Sequence, residues 1–129
     1  MSQAHILIAE DEEGIRESLR LILEDEYNLT FARNGQEAVE YAIRHPFDLL
    51  LLDIKMPKLD GVDVMRQLHA KRIRLPVLIL SAYQSVEVAK ETVRLGALDY
   101  IPKPFDRDHV KQVVRQALTK PPQKRPSGK

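Results

Sequence analysis

Glu10, Asp11, Asp53, Ser81 and Lys103 are residues whose chemistry and placement belong together, because each stands at the end of a short apolar run, at 6–9, 49–52, 77–80 or 100–102. Three carboxylates gathered without counter-charge would repel one another and resist ionisation. A hard dication resolves that conflict. Mg²⁺ takes a few carboxylate oxygens in octahedral geometry and keeps its other positions for water or substrate phosphate. Such a site could direct a phosphoryl donor onto Asp53, since carboxylates serve as covalent nucleophiles and a metal neutralises charge on the transferring oxygens. Lys103 would hold a second oxygen as a point charge, and the Ser81 hydroxyl would donate to a third. No general base is required, because a carboxylate is already an anion.

What gathers these residues must be a parallel sheet. The stretches between the apolar runs read as helices, and strands alternating with helices imply βαβ units. Strand carboxyl ends then collect along one edge, where open α/β folds bind ligands. The spacing predicts a first helix near 15–24, with Ile15, Leu19, Ile22 and Leu23 on one face. A polar strand at 28–32 turns Leu29 and Phe31 inward, and Asn34 caps a second helix carrying Ala38, Val39, Ala42 and Ile43. The third helix follows Gly61 and buries Val64, Met65 and Leu68, and Pro76 opens the fourth strand. Ser85 caps a fourth helix whose inner face is Val86, Ala89 and Val93 and which Gly96 ends. Asp106 starts a fifth through Val110, Val113, Val114, Ala117 and Leu118. The runs at 49–52 and 77–80 are apolar on both faces, as in strands covered from both sides. Right-handed crossovers then give the order 2-1-3-4-5, a flavodoxin-like (βα)5 fold with helices on both faces.

The chain has 129 residues, enough for one core, with 43% hydrophobic and 30% charged residues, as in soluble globular proteins. Lys120, Lys124, Arg125 and Lys129 lie in 119–129 without an acid, leaving 16 of the 20 basic residues against 19 acids in the first 118, a net −3. That balance argues against direct nucleic-acid binding by the domain. We expect a domain over 1–118 and a basic, Pro-rich tail or linker at 119–129, too poor in apolar residues to join the core and read as disordered. There is no cysteine, which excludes disulfides and thiolate metal sites. The apolar run at 6–9 ends in a pair of acids and fits neither a signal peptide nor a membrane span, so a cytoplasmic protein is expected.

The motifs Ile-Ala-Glu-Asp at 8–11, Leu-Leu-Asp-Ile-Lys-Met-Pro at 51–57 with Gly61, Ser-Ala-Tyr at 81–83 and Tyr-Ile-Pro-Lys-Pro-Phe at 100–105 occur in that order, each at a strand end. Over residues 5–118 the chain resembles the receiver domain of two-component response regulators. The resemblance implies that Asp53 takes a phosphoryl group from the phosphohistidine of a histidine kinase or phosphotransfer protein. It implies that Asp11, Asp53 and the backbone carbonyl of Lys55 bind Mg²⁺ directly, with Glu10 acting through water, and that Lys103 and Ser81 contact the phosphate. It also implies a switch: Ser81 moves toward the phosphate, Tyr100 turns inward, and the face made by the fourth helix, fifth strand and fifth helix is remodelled for an output partner or fused output domain. The resemblance allows a homodimer through that face, and suggests a cis Lys103–Pro104 bond. Lys55 and Tyr83 match positions that tune the phosphoryl lifetime, and Glu10 stands where many relatives have aspartate.

Blander readings compete. A single acid or hydroxyl after a strand is usually a cap or a solvated loop group, and Tyr100 could simply fill the core. The ensemble outweighs them: five polar groups at one sheet edge, with a lysine locked between two prolines. His5, His45, His69 and His109 lack metal-ligand spacing, and Lys71, Arg72 and Arg74 read as a solvated turn. The functional expectation is a phosphorylation-dependent signalling switch rather than a conventional enzyme, although it catalyses its own phosphorylation and dephosphorylation. An aspartyl phosphatase would need a second acid near the nucleophile, and position 55 is lysine. A receiver-like interaction module that works without phosphorylation is the alternative.

Overall fold

Leucine fills four consecutive positions before Asp53, and in a computed structural model of the protein, which describes residues 3–82 and 85–119, that run is the central strand. The elements follow in strict alternation: β1 (His5–Ala9), α1 (Glu13–Leu23), β2 (Asn28–Ala32), α2 (Gly35–Arg44), β3 (Leu49–Asp53), α3 (Gly61–Ala70), β4 (Val77–Ser81), α4 (Val86–Arg94), β5 (Asp99–Pro102) and α5 (Arg107–Thr119). The five strands are parallel in the order β2-β1-β3-β4-β5, as the sequence leads one to expect. Tyr83, Gln84 and the tail from residue 120 lie outside the described residues, and with them the lifetime reading of Tyr83.

Both sheet faces are covered, so side chains alternate between two cores rather than between core and solvent. Leu7, Leu50, Leu52 and Ile79 pack with α2 and α3, while Ile6, Ile8, Leu51, Leu78 and Leu80 pack with α1 and α5. Burying a leucine in this way stabilises by about 2 kcal/mol each, which is why the sheet rather than helix propensity sets the geometry. Polar β2 lies at the sheet edge.

Caps close most helices where the sequence signals them. Asn34, Ser85 and Asp106 accept from the amides of Glu37, Val88 and His109, and Asp60 does the same for Asp63 at α3. Gly96, at a φ of 105°, follows the end of α4. The first helix starts at Glu13, two residues before the expected position.

The face of α4 needs correction. Val86 and Val93 are 66% and 65% exposed, and the inner stripe is Val88, Thr92 and Leu95. Its sequence offers two apolar stripes, 86/89/93 and 88/92/95, and the hydroxyl of Thr92 disguises the second. Helix α4 turns that second stripe inward, where Val88 and Leu95 pack on the core and the Thr92 hydroxyl is satisfied by the Ala89 carbonyl and Tyr100. On α2, Ala38, Val39 and Ala42 are buried and Ile43 is 52% exposed.

Candidate functional site

The carboxyl ends of β1, β3, β4 and β5 bring all five expected residues to one edge. Asp53 and Ser81 are the last residues of their strands, and Glu10 and Lys103 are the first beyond theirs. Hydrogen bonds between strand ends hold the edge in register: Glu10 N donates to Ala32 O at 3.0 Å, Ile54 N to Leu80 O at 3.3 Å and Lys103 N to Ser81 O at 3.0 Å. Gly61 N donates to Ile54 O at 2.8 Å, and a Cβ at Gly61 would lie 2.6 Å from the Asp53 carbonyl oxygen, so only glycine lets α3 start this close to β3. The Lys103–Pro104 bond is cis.

The polar groups are buried to different depths. Glu10 is fully buried, Asp53 and Ser81 nearly so, and Asp11 is exposed. One carboxylate oxygen each from Glu10, Asp11 and Asp53 lie within 4.8 Å of one another. Lys103 Nζ sits 2.8 Å from Glu10 Oε1 and 3.4 Å from Asp53 Oδ2. At Glu10 the ammonium is both counter-charge and hydrogen-bonding partner of the buried Oε1. Its other oxygen accepts from Glu12 N at 3.1 Å.

Charge in this setting has visible consequences. Burial pushes the Asp53 and Glu10 carboxyls above their ordinary range, against the opposing pull of Lys103. Burial works against the Lys103 ammonium too, yet the carboxylates of Glu10 and Asp53 outweigh it and hold the ammonium above its usual value. Three carboxylates face one ammonium, so the cluster carries a surplus of two negative charges when ionised. A dication matches that surplus, and clustered carboxylate oxygens are the hard ligands such an ion takes.

Two contacts escaped the sequence reading. Arg16 Nη1 donates to the Glu10 carbonyl at 2.9 Å and ties α1 to the acid-bearing loop. A basic residue in the first turns of a helix beside paired acids was the signal, but nothing in the sequence fixes where its guanidinium ends. Half-buried Tyr100 packs on the core beneath α4 with its hydroxyl 3.3 Å from Thr92 Oγ1, and Thr92 carried no signal beyond being a threonine in an apolar stripe.

A doubly wound α/β domain with an acid, hydroxyl and ammonium cluster at the carboxyl edge of its sheet is the class that fold and site define together. The chain belongs to the response regulator receiver domain family, whose sequence model matches residues 6–115. It is 38% identical over 115 residues to the regulatory protein AtoC of Escherichia coli, an alignment covering 88% of this chain and 25% of that protein. It is 39% identical over 119 residues to the uncharacterized transcriptional regulatory protein YkoG of Bacillus subtilis, covering 92% and 52% respectively. The chain thus spans between a quarter and about half the length of these curated relatives. Among solved structures, it superposes on a CheY-like receiver domain protein of Methanospirillum hungatei with a TM-score of 0.86 at 28% identity, covering 91% of this chain and 94% of that one. The receiver domain of the Francisella response regulator 1452 gives a TM-score of 0.83 at 31% identity, covering 90% and 97%. The chain is therefore a receiver domain of two-component signalling, a family whose general function is a phosphorylation switch. Among the described residues no helix is long and apolar enough to cross a membrane.

Proposed function

We propose that Asp53 is the phosphoryl acceptor of a cytosolic, Mg²⁺-dependent signalling switch, charged by the phosphohistidine of a histidine kinase or histidine phosphotransfer protein. One observation carries the reading: Lys103 bridges Glu10 and Asp53 inside a cluster of three carboxylates within 4.8 Å. An Asp53 carboxylate oxygen attacks phosphorus as the P–N bond breaks; the donor imidazole keeps the electron pair and takes up a proton. Lys103 lies close enough to follow a phosphoryl oxygen, and the Ser81 hydroxyl donates to another. Glu10, Asp11, Asp53 and the Lys55 carbonyl would hold Mg²⁺, which when bound offsets charge on the carboxylates and on the transferring oxygens. The backbone amide of Lys55 also donates to the Asp53 carboxylate and orients it.

In the same reading Ser81 and Tyr100 form the switch, and the α4-β5-α5 face meets the output partner. A homodimer through that face is compatible with it. We place the functional domain within 1–118 and treat the basic Pro-rich segment at 119–129 as lying outside it. Intact-protein mass spectrometry after incubation with acetyl phosphate tests the assignment. The expected result is one phosphoryl adduct that requires Mg²⁺ and is absent from Asp53→Ala; an adduct that persists in that variant would place the chemistry elsewhere.

A further inference from the structure

Four polar or charged residues are buried among those described: Glu10, Asp53, Ser81 and Thr92. The first three belong to the acid cluster and its edge. Thr92 does not, and it is the one buried residue of α4. A hydroxyl fully removed from water needs partners, and in a helix facing a core valine would fill the same volume without that need. Thr92 Oγ1 donates its proton to the Ala89 carbonyl at 3.0 Å. With that proton committed, the contact with Tyr100 at 3.3 Å leaves one donor, the phenol O–H, and Thr92 Oγ1 accepts. The adjoining Glu91 pairs with Arg94 within α4 at 2.6 Å and reaches Arg66 of α3 at 3.4 Å, a contact compatible with the rotation that turns Thr92 toward the sheet.

We infer that Thr92 is a positioning residue for Tyr100: its hydroxyl is the seat that holds the Tyr100 ring inward beneath α4, and so it biases the switch toward its phosphoryl-bound arrangement. This rests on the proposed function above and deepens it, because it adds a second hydroxyl, on α4, to the coupling between Ser81 and Tyr100. Linkage makes the bias measurable at the phosphorylation site, because whatever stabilises the inward tyrosine tightens apparent binding of a phosphoryl group or its mimic in proportion to the inward fraction it adds, up to that same factor.

The test is calorimetric titration of beryllofluoride in excess Mg²⁺ on wild type, Thr92→Val, Tyr100→Phe, the double variant and Thr92→Ser. Each single loss of a hydroxyl is expected to weaken binding by roughly three- to tenfold, the worth of one hydrogen bond. The double variant should lose no more than either single, and Thr92→Ser, which keeps the hydroxyl, should bind like wild type. Wild-type affinity in Thr92→Val, or losses that multiply in the double variant, would overturn the inference, as would tighter binding by Thr92→Val. Should Thr92→Val fail to fold, Tyr100→Phe alone decides, and wild-type affinity there overturns the seat. No binding by wild type itself would defeat the receiver reading as a whole, and this inference with it.

Discussion

Asp53 and Glu10 pay for their position in solvation, and that cost sets how the domain responds to pH. Both carboxyls bind a proton more tightly in the folded protein than in the unfolded chain, whose ordinary values are 3.8 and 4.5. Their ionisation therefore opposes folding fully above the folded-state values, and the penalty disappears as pH falls through them toward the ordinary ones. Asp53→Asn is expected to raise the melting temperature near pH 7 without Mg²⁺, with a gain that shrinks toward pH 4; thermal melts across that range check it, and a loss of stability at neutral pH would contradict it. The opposite sign holds at Lys103, whose ammonium is the counter-charge for both acids. Lys103→Met should cost about 3 kcal/mol at pH 7 by urea denaturation, the usual consequence of stripping one partner from a buried ion pair. That loss should narrow as the acids protonate.

At the scale of elements, strand ends decide the site, and the tightest constraint is the start of α3 against β3. Gly61→Ala would press a methyl group onto the Asp53 carbonyl at 2.6 Å and Ile54 Cα at 2.8 Å, both backbone atoms. We expect a loss of about 2 kcal/mol in denaturant midpoints together with slower phosphoryl uptake from acetyl phosphate; unchanged uptake would show that the β3 end tolerates the shift. Most of this framework was legible in the sequence because its signals are local. Four leucines before Asp53, set between helical stretches, read as a strand covered on both faces, and Asn34, Ser85 and Asp106 read as caps from residue type and position. Strand-end position then delivers Glu10, Asp11, Asp53, Ser81 and Lys103 without any knowledge of tertiary contacts. What stayed hidden depends on packing. The phase of α4 turns on a hydroxyl that looks polar until it finds Tyr100, and Arg16 reaches the Glu10 carbonyl along a flexible side chain that no periodicity can aim.

For the whole molecule, the two cores and the charged edge are joined through one sheet, so binding at the edge stabilises the entire fold. Mg²⁺ should raise the unfolding free energy by about 1.4 kcal/mol for each tenfold excess over its dissociation constant. Denaturant melts at stepped Mg²⁺ concentrations would show this, and Asp53→Asn should blunt the dependence; a wild-type midpoint indifferent to Mg²⁺ would contradict the assignment of the acid cluster. The family match over residues 6–115 contains every fully buried residue of the two cores. In the proposed chemistry one carboxylate, at the end of β3, carries the phosphoryl group. The most direct measurement is borohydride reduction of the acetyl phosphate-treated protein followed by peptide mass spectrometry. Homoserine is expected at position 53, formed only when Mg²⁺ was present; reduction products at Glu10, Asp11 or any other acid, with Asp53 intact, would contradict that assignment.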